Sequence, residues 1–172
     1  MQIIATVPLV LAALLCYFPT CSAWFVTPPT TTKDWQQLAS LVVQTFDAPP
    51  DDASPIERLK WNLMERGVME EATYRQYVRT ARKMKQTKYA ILVAKQWGNV
   101  VGMAELGVNL DNDTGDRRAT IGVLCVDDTT RKQGVGKELV TKCCQLAVEV
   151  WNETILYAEV EPSNVGARAF FE

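Results

Sequence analysis

Hydrophobic and polar positions change their period along the chain, and the changes mark the elements. Over Trp35 to Phe46, apolar residues recur at Leu38, Leu41, Val42 and Phe46, a spacing that puts them on one face of a helix, with Asp34 before them as an N-cap. Ala48-Pro-Pro-Asp-Asp-Ala-Ser-Pro55 breaks that pattern. Helical spacing resumes through Ile56, Leu59, Leu63 and Met64 of Ile56 to Met69, and the charged segment Glu70 to Gln86 predicts another helix. All of these read as ordinary amphipathic helices facing a core. Tyr89 to Lys95 and Val100 to Val108 are β-like runs around Gln96-Trp-Gly-Asn99, which predicts a hairpin with a Gly-Asn turn. Beyond the polar loop Asn109 to Arg118, Ala119 to Val126 predicts a third strand. Leu139 to Trp151 then predicts a helix with Leu139, Val140, Cys143, Leu146, Ala147 and Val150 on one face, and Ile155 to Glu161 a fourth strand. This order predicts an α/β fold whose mixed sheet is antiparallel at first and parallel across the helix.

The first 32 residues differ from the rest in containing no Lys, Arg, Asp or Glu. Ile3 to Phe18 is apolar except for Thr6 and Pro8 and runs into Pro19-Thr-Cys-Ser-Ala23, with small residues one and three positions before Trp24. The pattern predicts a secretory signal peptide over 1–23 with cleavage after Ala23. A retained membrane anchor is the alternative, although the apolar run is short for a membrane span. A linker over 24–33 and a single domain over 34–172 follow. The whole chain, 172 residues with net charge −2 and 48% hydrophobic residues, has the composition of a globular core and shows no nucleic-acid-binding character. Cys16 and Cys21 would leave with the presequence. The remaining Cys125, Cys143 and Cys144 are odd in number, two of them adjacent, and so predict a reducing compartment rather than a disulfide framework. Asn112-Asp-Thr and Asn152-Glu-Thr are glycosylation sequons that matter only in a secretory lumen.

Arg131-Lys-Gln-Gly-Val-Gly-Lys-Glu-Leu139 joins the third strand to its helix and carries the most chemical information. Two glycines let the backbone approach a ligand, and the first N–H groups of the helix, unpaired within it, suit a phosphate. A P-loop is excluded, because Gly136-Lys137 is followed by Glu138 and Arg131 stands where its first Gly belongs. A dinucleotide fingerprint is excluded by Leu139 at the third Gly position.

The remaining pattern, Arg131-x-x-Gly134-x-Gly136, resembles the acyl-CoA pyrophosphate loop of the GNAT N-acyltransferase superfamily. A second block agrees in order and spacing: Ile155 to Val160, then Glu161-Pro-Ser-Asn164 and Ala167-Arg-Ala-Phe-Phe-Glu172. It is similar to the strand, Asn and helix that flank the pantetheine arm, most of all in N-terminal alanine, ribosomal-protein-type and plastid N-acetyltransferases. The resemblance implies a GNAT-like mixed sheet with flanking helices, and acetyl-CoA as cosubstrate. Arg131, Lys132, Gln133, Gly134, Val135, Gly136 and Lys137 would lie at the pyrophosphate. Leu124, Cys125 and Val126 would offer backbone groups to pantetheine, and Asn164 its side chain, while also capping a helix. The family continues beyond this point with two further strands, so the last two strands are expected to be missing and the edge of the fourth strand to be unpaired.

An acyl-CoA thioester is already activated, so transfer needs a neutral amine rather than a nucleophilic side chain. The chain contains no His, which excludes His-based triads and His-ligated metal, and no metal is expected. An amine with pKa ~8 at an N-terminus or ~10 on Lys needs a base. Glu159-Val-x-x-Ser163-Asn164 resembles the segment carrying that base in N-terminal alanine acetyltransferases, which implies the role for Glu159. A solvent-facing strand carboxylate is the plain alternative, and Glu105 is a second candidate base. Phe171 stands where that family usually has the Tyr that protonates the leaving thiolate. Cys125 as an acyl-carrying nucleophile has no evident base beside it. The expected function is therefore N-acetyl transfer to a primary amine, a protein N-terminus or lysine ahead of a small amine. The rival is an acyl-CoA-binding module without turnover. No membrane partner is expected after presequence removal. Trp24-Phe25 at the cleavage junction, followed by an acid-free Thr/Pro stretch, resembles the bipartite presequences of algae with complex plastids. That implies plastid delivery, against a secretory lumen or a membrane anchor.

Overall fold

The computed structural model describes residues 3–8, 24–83, 88–110 and 116–171. Helix α1 (Thr32–Phe46) opens on a capping box in which Thr31 accepts from the Asp34 amide at 3.1 Å and the Asp34 carboxylate accepts from the Thr31 amide at 2.9 Å. Thr31, not Asp34, is therefore the N-cap. Asp34 sits inside the first turn because its carboxylate has a deeper partner, Lys95 of the sheet, whose ammonium donates to it at 2.7 Å. Helix α2 (Pro55–Lys60) starts with a second capping box, Ser54 with Glu57, and Pro55 as its first residue. A π-helical turn, Trp61–Glu65, carries it straight into α3 (Arg66–Lys83). The two helices expected over 56–69 and 70–86 are thus one helical run, described as far as Lys83.

The expected inward stripe of that run faces out. Ile56, Leu59, Leu63 and Met64 are exposed, whereas Trp61 between them is buried with Arg66 lying 5.8 Å over its ring. The period was legible but the face was not, because spacing alone does not say which side of a helical run meets the core.

Six strands form one sheet in the order β1-β6-β5-β4-β3-β2: β1 (Ile3–Pro8), β2 (Phe25–Thr27), β3 (Tyr89–Gln96), β4 (Asn99–Leu110), β5 (Arg117–Val126) and β6 (Ile155–Val160). Every pairing is antiparallel except β5 with β6, which are joined through α4 (Val135–Glu149). Short helix α5 (Val165–Phe171) follows β6. Strand β1, which lies within the expected leader, takes the outer edge of β6, with Ile3 opposite Val160 and Pro8 opposite Ile155, so in the uncleaved chain that edge is paired. Residues 9–23 of the expected leader and the Asn112 sequon lie outside the described residues. The β3–β4 turn is Trp97-Gly98 rather than Gly-Asn: both have positive φ, 52° and 78°, and Gln96 pairs with Asn99.

The sheet is buried on both faces. Ile91 and Val93 of β3 point to α1 and α3, with Leu38, Leu41, Tyr77 and Met103, while Leu92 and Ala94 point to α4, with Leu106, Val135, Leu139 and Cys143. On α4, Leu139, Cys143 and Ala147 are buried as expected, but Val150 is exposed because the helix has ended at Glu149. Gly102 of β4 fixes how closely α4 packs: a Cβ there would stand 3.0 Å from Val135 Cγ1 and 3.1 Å from Leu139 Cδ1.

Asp34 and Lys95 are the deepest ion pair described, with side chains 5% and 11% exposed. Burial by itself would raise the Asp34 pKa. Hydrogen bonds from Lys95 and from the Thr31 and Thr30 amides outweigh it and hold the carboxyl well below the usual range. Asp34→Asn leaves Lys95 charged, buried and unpaired, and is expected to destabilise the fold by about 3–5 kcal/mol in urea unfolding at neutral pH. Because the folded-state pKa is depressed, the pair's contribution is complete above ~3.9, the ordinary Asp value, and is lost as pH falls below it. The parent should therefore lose stability steeply in that acid range and Asp34→Asn should not; parallel acid limbs would refute the assignment.

Candidate functional site

Strands β5 and β6 are paired only at Ala119 with Leu156, Thr120 with Tyr157 and Ile121 with Ala158. Both run on, β5 against β4 as far as Val126 and β6 against β1 as far as Val160, without pairing to each other. The parting coincides with a bulge. On β4, Leu106 faces Ile121 and Glu105 faces Val123, which leaves Gly122 as the extra residue of β5. A bulge bends its strand and raises the local twist, and here it turns the end of β5 away from β6. Gly122 was not singled out from the sequence, although a lone Gly in a strand pattern is the usual signal of a bulge.

The parting opens a cleft of about 420 Å³. Val123 and Leu124 of β5 form one wall and Glu159 and Val160 of β6 the other; Phe46 comes from the end of α1, and Asn164 and Phe171 from α5. Leu124, Glu159, Asn164 and Phe171, expected in one site from separate motifs, thus come together. Asn164 Oδ1 accepts from the Ala167 amide at 3.0 Å and so also caps α5, as expected.

Cys125 and Val126 follow Leu124 on β5 but do not line the cleft. The Cys125 side chain is buried among Leu38, Leu41 and Met103 on the α1 face, and burial pushes its thiol up to about 12. Such a thiol is not a nucleophile at neutral pH. The Val126 carbonyl accepts from Arg131 Nε at 3.1 Å, so the loop itself takes that group.

Beyond β5, the Asp127 side chain accepts from the Thr129 amide at 2.9 Å to start a 3₁₀ turn, Asp128–Thr130. Arg131 is tied back into this turn, its guanidinium 2.6 Å from Asp128 Oδ1. Its charge is therefore shared with a carboxylate rather than offered whole to a ligand, and Gln133 is likewise held, donating to the Thr129 carbonyl at 3.0 Å. Lys132, with φ of 60°, and Gly134, with φ of 96°, turn the chain into α4. Gly134 is the N-cap and supplies no side-chain cap, while Val135 is buried and anchors the turn. The amides of Val135, Gly136 and Lys137 thus begin a 15-residue helix with no capping side chain, at its positive end, with Lys132 and Lys137 exposed beside them. Gly136 faces α5: a Cβ there would stand 3.4 Å and 3.5 Å from the Phe170 ring, at ordinary contact distance. Phe170 in turn meets Phe171 edge-on, centroids 4.9 Å apart.

The two candidate bases sit differently. Glu159 is exposed on the cleft wall. Glu105 lies one strand further in, opposite Ile91 and Val123, and does not line the cleft. It faces Tyr77 of α3 and Tyr89 of β3; burial, then the Glu105 charge, raises the pKa of both phenols. No sequence signal joined these tyrosines to Glu105, since three separate elements supply them. Among the described residues, no group of three or more His, Cys, Asp or Glu is placed to hold a metal ion.

Solved structures share this architecture. The aminoglycoside N-acetyltransferase AAC(6')-Iy in complex with CoA is 13% identical, with 89% of this chain and 87% of that one covered and a TM-score of 0.62. A putative acetyltransferase from Pyrococcus furiosus is 16% identical, with 86% and 89% covered and a TM-score of 0.58. An acetyltransferase from Trypanosoma brucei is 16% identical, with the same coverage and a TM-score of 0.55. No curated protein sequence matches significantly. Residues 52–172, which hold the parted strands, the glycine turn and α5, match the model of the acetyltransferase (GNAT) family, and the chain belongs to that family.

Proposed function

We propose that this chain moves an acetyl group from acetyl-CoA to a primary amine, with a protein N-terminus or lysine as the acceptor. The observation that carries the proposal is the continuity of the site: a cleft between parted strands ends at a helix N-terminus with no capping side chain. A thioester arm fits the cleft, and a pyrophosphate fits the helix end. In this reading the amides of Val135, Gly136 and Lys137 hold the pyrophosphate, Lys132 and Lys137 add charge, and Leu124 and Asn164 hold the arm. Glu159 takes the proton of the incoming ammonium, directly or through a water. The amine nitrogen then bonds to the thioester carbon, the C–S bond breaks and the thiolate leaves, while the nitrogen gives up its second proton to water. With a pKa near that of Cys, ~8.5, the thiolate can take its proton from water, so Phe171 in place of Tyr slows this step without blocking it.

The Glu159-Val-x-x-Ser163-Asn164 segment supports a protein or peptide acceptor. A small amine is the alternative, prompted by structural neighbours described as aminoglycoside acetyltransferases, one of them in complex with sisomicin. Phe171 favours a second reading, an acyl-CoA-binding module without turnover. Acetyl-CoA protection against thermal unfolding, with no CoA released over an amine panel, would select it. The uncharged leader and the Trp24-Phe25 junction support delivery to a plastid, against a secretory lumen or membrane anchor.

Three outcomes are expected. Gly134→Asp with Gly136→Asp should abolish acetyl-CoA binding in calorimetry, because each puts a carboxylate where the pyrophosphate lies; a folded double variant that binds normally would falsify the loop assignment. Glu159→Gln should depress kcat with acetyl-CoA affinity intact, and Phe171→Tyr should raise kcat by up to about 10²-fold, the lower range of general-acid effects. If neither variant moves kcat, the proton-transfer roles are wrong. A fluorescent fusion of the first ~40 residues should enter plastids of an alga with complex plastids, and alanines at Trp24 and Phe25 should divert it to the secretory lumen. Cytosolic fluorescence of the parent fusion would sink the sorting proposal.

A further inference from the structure

The turn that opens α4 has no capping side chain, so its shape depends on what it rests against. One side chain comes within 4 Å of where a Cβ on Gly134 would stand: the Trp24 indole, whose Cζ2 is 3.8 Å away. On the other flank of the turn, Gly136 rests on the Phe170 ring and on Val126, with Cβ distances of 3.4 Å and 3.7 Å. Trp24 is itself held in place. Two residues on, Val26 pairs with Ala94 of β3, and Trp24 and Val26 both pack against the buried cluster that contains Val135 and Leu139 of α4. A rigid aromatic from the start of the domain is thus wedged between the sheet edge and the left-handed residue that aims the first amides of α4.

We infer that Trp24 is a positioning residue for the phosphate-binding turn, acting on the pyrophosphate of a CoA thioester through Gly134 and without a role at the reacting carbon. The inference rests on the acyl-CoA reading of this site. An indole removed from beneath Gly134 leaves space into which the turn relaxes, while Val135 and Leu139 still hold the helix in the core. The amides then lose their alignment on an anion but the fold persists. This role is separate from sorting, since a fusion that ends near residue 40 contains no α4.

The test uses the full chain carrying Trp24→Ala or Trp24→Phe and two ligands that divide the site. The nucleotide half, 3′-phosphoadenosine 5′-diphosphate, reports on the turn, and S-acetylpantetheine reports on the cleft. Trp24→Ala should raise the Kd of acetyl-CoA and of the nucleotide half about tenfold and leave S-acetylpantetheine unchanged, and Trp24→Phe should recover most of the loss. Unchanged acetyl-CoA affinity in a folded Trp24→Ala chain overturns the inference, as does equal weakening of both halves. If Trp24→Ala does not fold, Trp24→Leu is read by the same titrations. A parent chain that fails to bind acetyl-CoA would refute the proposed function itself, whereas loss confined to the variant bears only on Trp24.

Discussion

The site depends on β5 and β6 ceasing to pair after Ile121. Parallel strands are ordinarily buried and continuous, and parting two of them forfeits backbone hydrogen bonds that a sheet would otherwise make. The bulge at Gly122 makes the parting local, because it re-aims β5 while keeping it paired to β4 through Val126. The freed edges of β5 and β6 are then where an extended ligand could meet backbone that no neighbouring strand takes. The end of β5 leads into the glycine turn, so one deformation sets both the width of the cleft and its distance from α4.

The second constraint is the seating of α4. Gly102 lets Val135 and Leu139 lie directly on β4, and Trp24 and Phe170 flank the turn from either side. Such a turn can stay free of capping side chains because packing, together with the hydrogen bonds of Arg131 and Gln133 to the Val126 and Thr129 carbonyls, fixes it. Arg131, the most obvious charge in the motif, is committed to Asp128 and to the Val126 carbonyl. In the proposed reading, anion binding would therefore rest mainly on fixed backbone amides, with Lys132 and Lys137 as exposed point charges.

What the sequence made legible was local and periodic. The strands over 89–126, the glycine turn, the buried face of α4 and the capping Asn164 follow from alternation, helical spacing and turn chemistry, and they sit where those rules put them. What it hid depends on rotation or on distance. Ile56, Leu59, Leu63 and Met64 face outward, because periodicity reports spacing without reporting which way a stripe faces. Asp34 looked like a cap because its partner, Lys95, is 61 residues away. Gly122 needed its neighbour strand before it could be read as an extra residue. Trp24 looked like an address label, and only the fold brings it against Gly134.

Phe171 decides how the reaction ends. The ring is kept and packs edge-on against Phe170, which supports Gly136, so the position serves α5 packing whether or not it carries a hydroxyl. Other phenols on the Glu159-bearing side of the sheet could be imagined as a substitute acid: Tyr77, Tyr89, and Tyr157, which precedes Glu159 by two residues on β6 and so points to the same face. Tyr77 and Tyr89 are unsuited to it: they face Glu105 rather than the cleft, and burial with that carboxylate raises the pKa of both. A phenol whose pKa lies above its usual ~10 is a poorer donor to a thiolate of pKa ~8.5 than an ordinary Tyr. In the proposed reaction the departing thiolate would then take its proton from solvent or from Tyr157, which lies on the Glu159 side of β6 beside Arg118.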